Sequence, residues 1–264
     1  MSQIDILAEI IANKRREVAA AEAELPLAQV KELAQKSRPA LSFLDAVRGH
    51  TKPRIIAECK RQSPSRGIMR QGYDPVALAT AYARGGAAAI SVLTDEKYFG
   101  GHLSHLAAVR AAVELPILRK DFIISEYQIY EARAHGADTF LLLSGPLSPD
   151  ELRHFIAVGR SLGMEPLIES HTAAELSAAL STPGKIFGIN NRDLKTFSTD
   201  LKGGADLLRE ALATRPDATF VCESGIKTRA DIERMQTLGY NVFLIGEALV
   251  THSDPRTALE TLIA

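Results

Sequence analysis

The sequence predicts a (β/α)8 TIM barrel over residues 1–264, with residues 1–47 as an N-terminal helical extension covering it, and three observations carry that prediction. From Arg54 onward, short apolar or β-branched runs alternate with amphipathic helical stretches through eight cycles, punctuated by Gly, Pro, Asp and Ser. Four junctions, Ala83-Arg-Gly-Gly86, Ala134-His-Gly136, Ser161-Leu-Gly163 and Thr237-Leu-Gly239, each place glycine a few residues before an apolar run, where it ends a helix in the left-handed conformation. The chain also lacks the G-x-G-x-x-G turn of a dinucleotide-binding sheet, which weakens the rival architecture, a doubly wound open sheet. Strand–helix alternation makes the strands parallel, because right-handed crossovers lay helices over the sheet's apolar outer face. Eight such units in 264 residues suit a closed barrel, which commonly runs to about 250 residues.

The extension comes first. Ile4, Leu7, Ile11, Val18 and Leu25 recur at three-, four- and seven-residue spacings among Lys, Arg and Glu, which is an amphipathic helix from Ile4 to about Leu25. Pro26 ends or restarts it, a second helix runs to Lys36, and Ser42-Phe-Leu-Asp45 reads as a capped short helix before the break at Pro53. The predicted strands are then Ile55–Lys60, Ala88–Leu93, Pro116–Lys120, Thr139–Leu143, Glu165–Glu169, Ile186–Asn190, Thr219–Glu223 and Val242–Gly246, each followed by a helix-compatible segment.

Composition excludes several function classes. Hydrophobic residues make up 46% and charged residues 24% of the chain, enough for a substantial core under a soluble surface. With 31 Lys+Arg against 32 Asp+Glu, no global positive field draws a nucleic-acid backbone or an anionic membrane, so any anionic ligand is held locally. Cys59 and Cys222 fall inside predicted buried strands; neither a disulfide framework nor a thiolate metal cluster fits, whereas a reducing cytoplasm does. The opening Met1-Ser-Gln-Ile-Asp-Ile lacks a basic segment followed by a long apolar run, and no stretch approaches the ~20 apolar residues of a membrane span. A monomer or weak homo-oligomer is expected, and the length leaves no room for a fused partner barrel.

Barrel active sites lie at the C-terminal ends of the strands, so polar residues there carry the most weight. The first strand ends Ala57-Glu58-Cys59-Lys60, the third Leu118-Arg119-Lys120-Asp121, the fifth Leu167-Ile168-Glu169, the sixth Gly188-Ile189-Asn190 and the seventh Val221-Cys222-Glu223. Strand alternation puts Glu58 and Lys60 on one face and Cys59 on the other, toward the helices. Two lysines and up to three glutamates then share a water-poor cavity, where buried charge is costly unless paired or used. A structural ion-pair network capping the core is the plain alternative.

Glu223-Ser224-Gly225-Ile226-Lys227-Thr228 and Leu244-Ile245-Gly246-Glu247 each open a helix after strands seven and eight, the usual place for a phosphate in such barrels. Glu247 beside Gly246 repels a phosphate if it points inward, so it is expected to point away. Lys60-Arg61-Gln62-Ser63-Pro64-Ser65-Arg66-Gly67 reads as a mobile cationic loop that closes over an anionic substrate, and Phe99, in the loop after strand two, as an aromatic wall. Walker A, G-x-S-x-G and H-E-x-x-H motifs are absent, and His102 and His105 read as solvated side chains, not metal ligands.

The segments Ile55-Ile-Ala-Glu-Cys-Lys-Arg-Gln-Ser-Pro-Ser65, Ser91-Val-Leu-Thr-Asp-Glu-Lys-Tyr-Phe-Gly-Gly101, Leu118-Arg-Lys-Asp-Phe122, Gly188-Ile-Asn-Asn-Arg-Asp-Leu194 and Glu223-Ser-Gly225 resemble the indole-3-glycerol phosphate synthases, and the match runs from the extension to Leu249. The resemblance implies a phosphorylated small-molecule substrate, 1-(2-carboxyphenylamino)-1-deoxyribulose 5-phosphate, closed to indole-3-glycerol phosphate with loss of CO2 and water, and it implies no cofactor or metal. Carried over position by position, Lys120 matches the general acid at the ribulose carbonyl and Glu169 its acid–base counterpart in dehydration. Glu58 matches a second catalytic carboxylate, and Lys60 the lysine that holds the substrate carboxylate. Ser63, Phe99, Asn190, Arg192 and Glu223 match substrate-contacting positions, and Ser224, Gly225 and Gly246 surround the phosphate. Rival readings are another phosphate-binding barrel enzyme, such as a Schiff-base aldolase using Lys120, and a non-catalytic sugar-phosphate binder.

Overall fold

The computed structural model describes residues 6–49, 52–192 and 199–264. Ile4 of the predicted first helix, and Asp193 and Leu194 of the sixth-strand motif, lie outside the described residues. Eight strands, β1 (Arg54–Cys59), β2 (Ala89–Leu93), β3 (Ile117–Lys120), β4 (Thr139–Leu143), β5 (Leu167–Ser170), β6 (Ile186–Asn190), β7 (Thr219–Glu223) and β8 (Val242–Ile245), pair in parallel and close into a barrel through β1 and β8. The strands read as near-continuous apolar runs because both faces are covered. Outward residues such as Ile55, Ala57 and Cys59 pack into the layer of helices, whereas Ile56, Leu118, Leu167, Val221 and Leu244 fill the interior.

Helices α1 (Ile6–Glu24), α2 (Leu27–Lys36) and α3 (Phe43–Val47) precede the barrel. The side chain of Ser42 caps α3 by accepting the N–H of Asp45. Phe43 and Val47, both almost fully buried, plug the barrel interior against Ile56, Ala89, Ile186 and Val242, at the ends of the strands remote from the predicted site. The surrounding helices are α4 (Pro75–Arg84), α5 (Ser104–Ala112), α6 (Glu126–Ala134), α7 (Pro149–Ser161), α8 (Ala173–Leu180), α9 (Leu201–Thr214), α10 (Arg229–Gln236), the short α11 (Glu247–Val250) and α12 (Pro255–Ile263). α2 lies along α6, where Lys31 pairs with Glu126 at 3.1 Å and Ser37 donates to the Arg133 carbonyl.

The four junction glycines, Gly86, Gly136, Gly163 and Gly239, all take positive φ, from 75° to 110°, as helix-ending residues should. Strand limits differ from expectation by one or two residues, with local causes. Glu165 stays outside β5, which begins only after Pro166, a residue with no N–H to donate to the ladder. Lys60 falls just past β1, where the chain turns into a hairpin pairing Gln62 with Ile68 and Ser63 with Gly67. The cationic segment expected as a loop contains a short hydrogen-bonded hairpin, closed further by the Met69 N–H on the Arg61 carbonyl at 3.0 Å.

Candidate active site

The C-terminal ends of the strands open into a cavity of about 790 Å³, and every sequence-predicted site residue lines it: Glu58, Lys60, Ser63, Phe99, Lys120, Glu169, Asn190, Arg192, Glu223, Ser224, Gly225 and Gly246. β1 turns Glu58 inward, where its carboxylate pairs with Lys60, and turns Cys59 out into the helix layer, where burial pushes the thiol up. Gly246 has a packing reason beyond any phosphate, since a Cβ there would run into the Glu58 carboxylate.

Lys120 stands between two carboxylates. Its Nζ lies 2.8 Å from Glu169 Oε2 and 3.3 Å from Glu223 Oε2, and Asn190 Nδ2 donates to Glu169 Oε1 at 2.8 Å. Burial disfavours the ammonium, but Glu169, Glu223 and Glu58 more than offset it and hold Lys120 above its ordinary value. The competition between cations and carboxylates, open on sequence alone, is thus won by the carboxylates. The two glutamates part company. Burial acts against ionisation in both, yet Lys120 and His171 hold Glu169 well below the carboxylate range. Glu223, desolvated and facing the charge of Glu169, is pushed up to about 8.

Beyond β7 the chain makes a strained turn. Ser224 has φ 64°, the positive-φ non-glycine residue among those described, and Gly225 follows at φ 89°. Such a conformation costs of order 1–3 kcal/mol and persists where surrounding contacts impose it. Here Asn191 imposes it, donating from Nδ2 to the carbonyls of Glu223 at 2.7 Å and Ser224 at 3.1 Å. The turn directs backbone at the cavity in the place expected for phosphate.

The rim corrects one expectation. Glu247 does not turn away: its carboxylate lines the cavity and pairs with Arg66 at 2.6 Å and Arg192 at 3.3 Å. Two guanidinium groups neutralise the charge that was expected to force it outward, and they tie the hairpin after β1 to the β8 end. Arg192 also donates to Ser65 at 3.2 Å. Phe99 meets Phe122 with ring centroids 6.0 Å apart, and Ile6, Leu7 and Ile10 of α1 line the same side of the cavity.

α1 is held there by a buried cation. Lys14, 4% exposed, places Nζ 2.9 Å from Asp121, 3.1 Å from Asp95 and 2.6 Å from Glu17. Burial opposes this charge, but Asp121 and Asp95 raise the lysine overall. Asp95 and Asp121 begin the loops that carry Phe99 and Phe122, so Lys14 fastens the extension to two cavity walls. Lys14, Phe122 and His171 are the contributors that sequence reasoning did not single out. His171 had a signal, lying two residues beyond Glu169 on the same strand face. His102 faces Glu96 at 3.3 Å with its side chain 53% exposed, in line with a solvated role, whereas His105 is half-buried against Tyr73 and is not the solvated side chain expected. Among the described residues, no group of three or more His, Cys, Asp or Glu has a metal-holding arrangement.

Residues 7–262 match the family model for indole-3-glycerol phosphate synthase. The chain belongs to this family. Indole-3-glycerol phosphate synthases from Albidiferax ferrireducens (45% identical, covering 98% of each chain), Carboxydothermus hydrogenoformans (44%, 98% of this chain and 99% of that one) and Neisseria meningitidis serogroup B (44%, 95% and 96%) are full-length relatives. Among solved structures, a 3-hexulose-6-phosphate synthase superposes with a TM-score of 0.64 at 17% identity, over 79% of this chain and 97% of its own. The N-acetylmannosamine-6-phosphate 2-epimerase of Clostridium perfringens gives 0.62 at 17% identity, over 82% and 93%. At that identity the two superpositions establish the barrel fold alone. No helix among the described residues is long and apolar enough to cross a membrane.

Proposed function

We propose that the protein closes 1-(2-carboxyphenylamino)-1-deoxyribulose 5-phosphate to indole-3-glycerol phosphate, releasing CO2 and water, in tryptophan biosynthesis. The observation that carries this reading at the level of chemistry is the Lys120 ammonium, held between Glu169 and Glu223 inside the cavity. Attack of the ring carbon on the ribulose carbonyl builds negative charge on oxygen, and Lys120 is the proton donor that meets it. Lys60, paired with Glu58, receives the substrate carboxylate. Loss of CO2 then restores the aromatic ring. Dehydration breaks the C–O bond: the hydroxyl takes a second proton, from Lys60, and leaves as water, while the new ring gives a proton to Glu169, the carboxylate kept ionised. Asn190 orients Glu169, and Ser63, Arg192, Ser224, Gly225 and Gly246 surround the sugar phosphate, with Phe99 against the aromatic ring. A Schiff-base aldolase needs a neutral lysine, and Lys120 is held as an ammonium, which argues against that rival.

Incubating the protein with the anilino-ribulose phosphate and no added metal or cofactor is expected to yield indole fluorescence with release of one CO2 per turnover. Binding without turnover would instead support a sugar-phosphate-binding barrel. The balanced charge and the buried Cys59 and Cys222 support a cytoplasmic protein with no nucleic-acid partner; the proposed state, a monomer or weak homo-oligomer, is tested by sedimentation.

We also propose that residues 1–47 belong to the same domain as the barrel and serve substrate affinity. Truncation at residue 45 also removes Phe43 from the barrel interior, so Lys14→Met is the cleaner probe. It leaves Asp95 buried without its cation, while Asp121 keeps Arg119, and removing one partner of a buried pair costs about 3–5 kcal/mol. The expected outcome is a lower Tm and a Michaelis constant raised about tenfold, with kcat nearly unchanged, because α1 walls the cavity away from Lys120.

A further inference from the structure

Glu169 and Glu223 both face Lys120 yet titrate in opposite directions, and a third group distinguishes them. His171 follows β5 by one residue, and alternation returns its ring to the side that Glu169 occupies. Its Nε2 lies 3.1 Å from Glu169 Oε1, and its Nδ1 lies 3.5 Å from Glu175 Oε2. The Nε2 contact is an ion pair at hydrogen-bonding distance, poorly aligned, and it favours the charged form of both groups. Glu175 is fixed independently in the first turn of α8: its N–H is capped by Thr172, and its Oε2 accepts the backbone N–H of His171 at 2.8 Å. The side chain of His171 is 12% exposed. Burial disfavours its imidazolium, but Glu169 and Glu175 prevail and raise it to about 10.

We infer that His171 is a positioning residue for the ring closure: clamped by Glu175, its imidazolium holds Glu169 as the ionised member of the carboxylate pair and leaves the shared proton on Glu223. The kinetic consequence rests on the proposed reaction; the proton assignment does not. Lys120 reaches both carboxylates, Glu58 adds its field at Lys120, and Asn190 donates to Glu169 without charge. Among the described residues, His171 is the cation that reaches Glu169 and not Glu223.

His171→Gln removes the charge and keeps the size. The acid limb of the kcat profile is expected to move up by about one pH unit or more, because Glu169 then protonates more readily. The plateau is expected to fall about tenfold as the proton divides between the two carboxyls, with the Michaelis constant little changed. Glu175→Gln should shift the limb the same way by less. Titration of 13C-labelled glutamate carboxyls by NMR, without substrate, should show one buried carboxyl ionised below the ordinary range and one titrating above it, the two drawing together in His171→Gln. An unmoved acid limb and unmoved carboxyl titrations in a folded variant overturn the inference. So does a neutral His171 at pH 8 in the wild type by 15N imidazole NMR, which decides the matter if the variant does not fold. Absence of turnover by the wild type would sink the proposed reaction alone, and the NMR titrations would still decide the proton assignment.

Discussion

Lys120→Ala is expected to lower kcat by about 10³-fold, roughly 4 kcal/mol in the barrier, with a much smaller change in the Michaelis constant. The charge on the carbonyl oxygen exists only as the C–C bond forms, so the lost interaction belongs to the transition state and falls on kcat. Glu169 and Glu223 lose the cation between them, and two buried like charges do not both stay ionised. Glu223 then keeps its proton to higher pH and Glu169 is left with His171 as its cation, so the variant is expected to fold with a pH-dependent deficit. Without Lys120 both folded-state carboxyl values rise, that of Glu223 from a value already above the unfolded one. The stability they contribute is then full at low pH and is lost as pH rises through the folded values. Thermal melts of variant and wild type should accordingly diverge between about pH 5 and pH 9. A kcat within about threefold of wild type would remove Lys120 as the acid.

Strand alternation and the strand-end rule made the inner cluster legible because both are local: period two separates Glu58 from Cys59 and Lys120 from Arg119, whatever the rest of the chain does. Arg119, on the outward side, is fully engaged by Asp121 at 3.1 Å and Glu131 at 2.7 Å, a structural pairing beside the chemical one. The junction glycines were legible for a related reason, since a helix end needs its left-handed residue wherever it sits. Lys14 was not. In sequence it is one lysine among the several of an amphipathic helix, and only the docking of α1 onto the loops after β2 and β3 buries it. The apolar stripe through Leu7, Ile11 and Val18 lies on the face that packs, but Lys14 sits within that face, buried beside Ile10 and Ile11 by its pairing with those carboxylates. Glu247 was misread because its partners, Arg66 and Arg192, are 181 and 55 residues away. The strained Ser224 is likewise set by a tertiary contact, the Asn191 amide.

Glu169→Gln is expected to lower kcat by about 10²–10⁴-fold and to change the shape of the pH profile as well as its height. In the wild type, Glu169 is held below the carboxylate range, so the base form persists to low pH and activity is lost only as pH falls through that depressed value. Glu223 carries its proton up to about 8. Once it ionises, a second carboxylate grips Lys120 and makes the ammonium a weaker acid, so activity declines as pH rises through that region. The free-enzyme profile of kcat/KM is therefore expected to be a bell with its basic limb near 8. Glu169→Gln removes the charge that pushes Glu223 up, and Glu223 ionises at lower pH to become the carboxylate partner of Lys120. The residual activity of the variant should then lack the wild-type basic limb, while the Lys120–Glu223 pair preserves the fold. Retention of a basic limb near 8 in the variant would show that the limb belongs to a group other than Glu223.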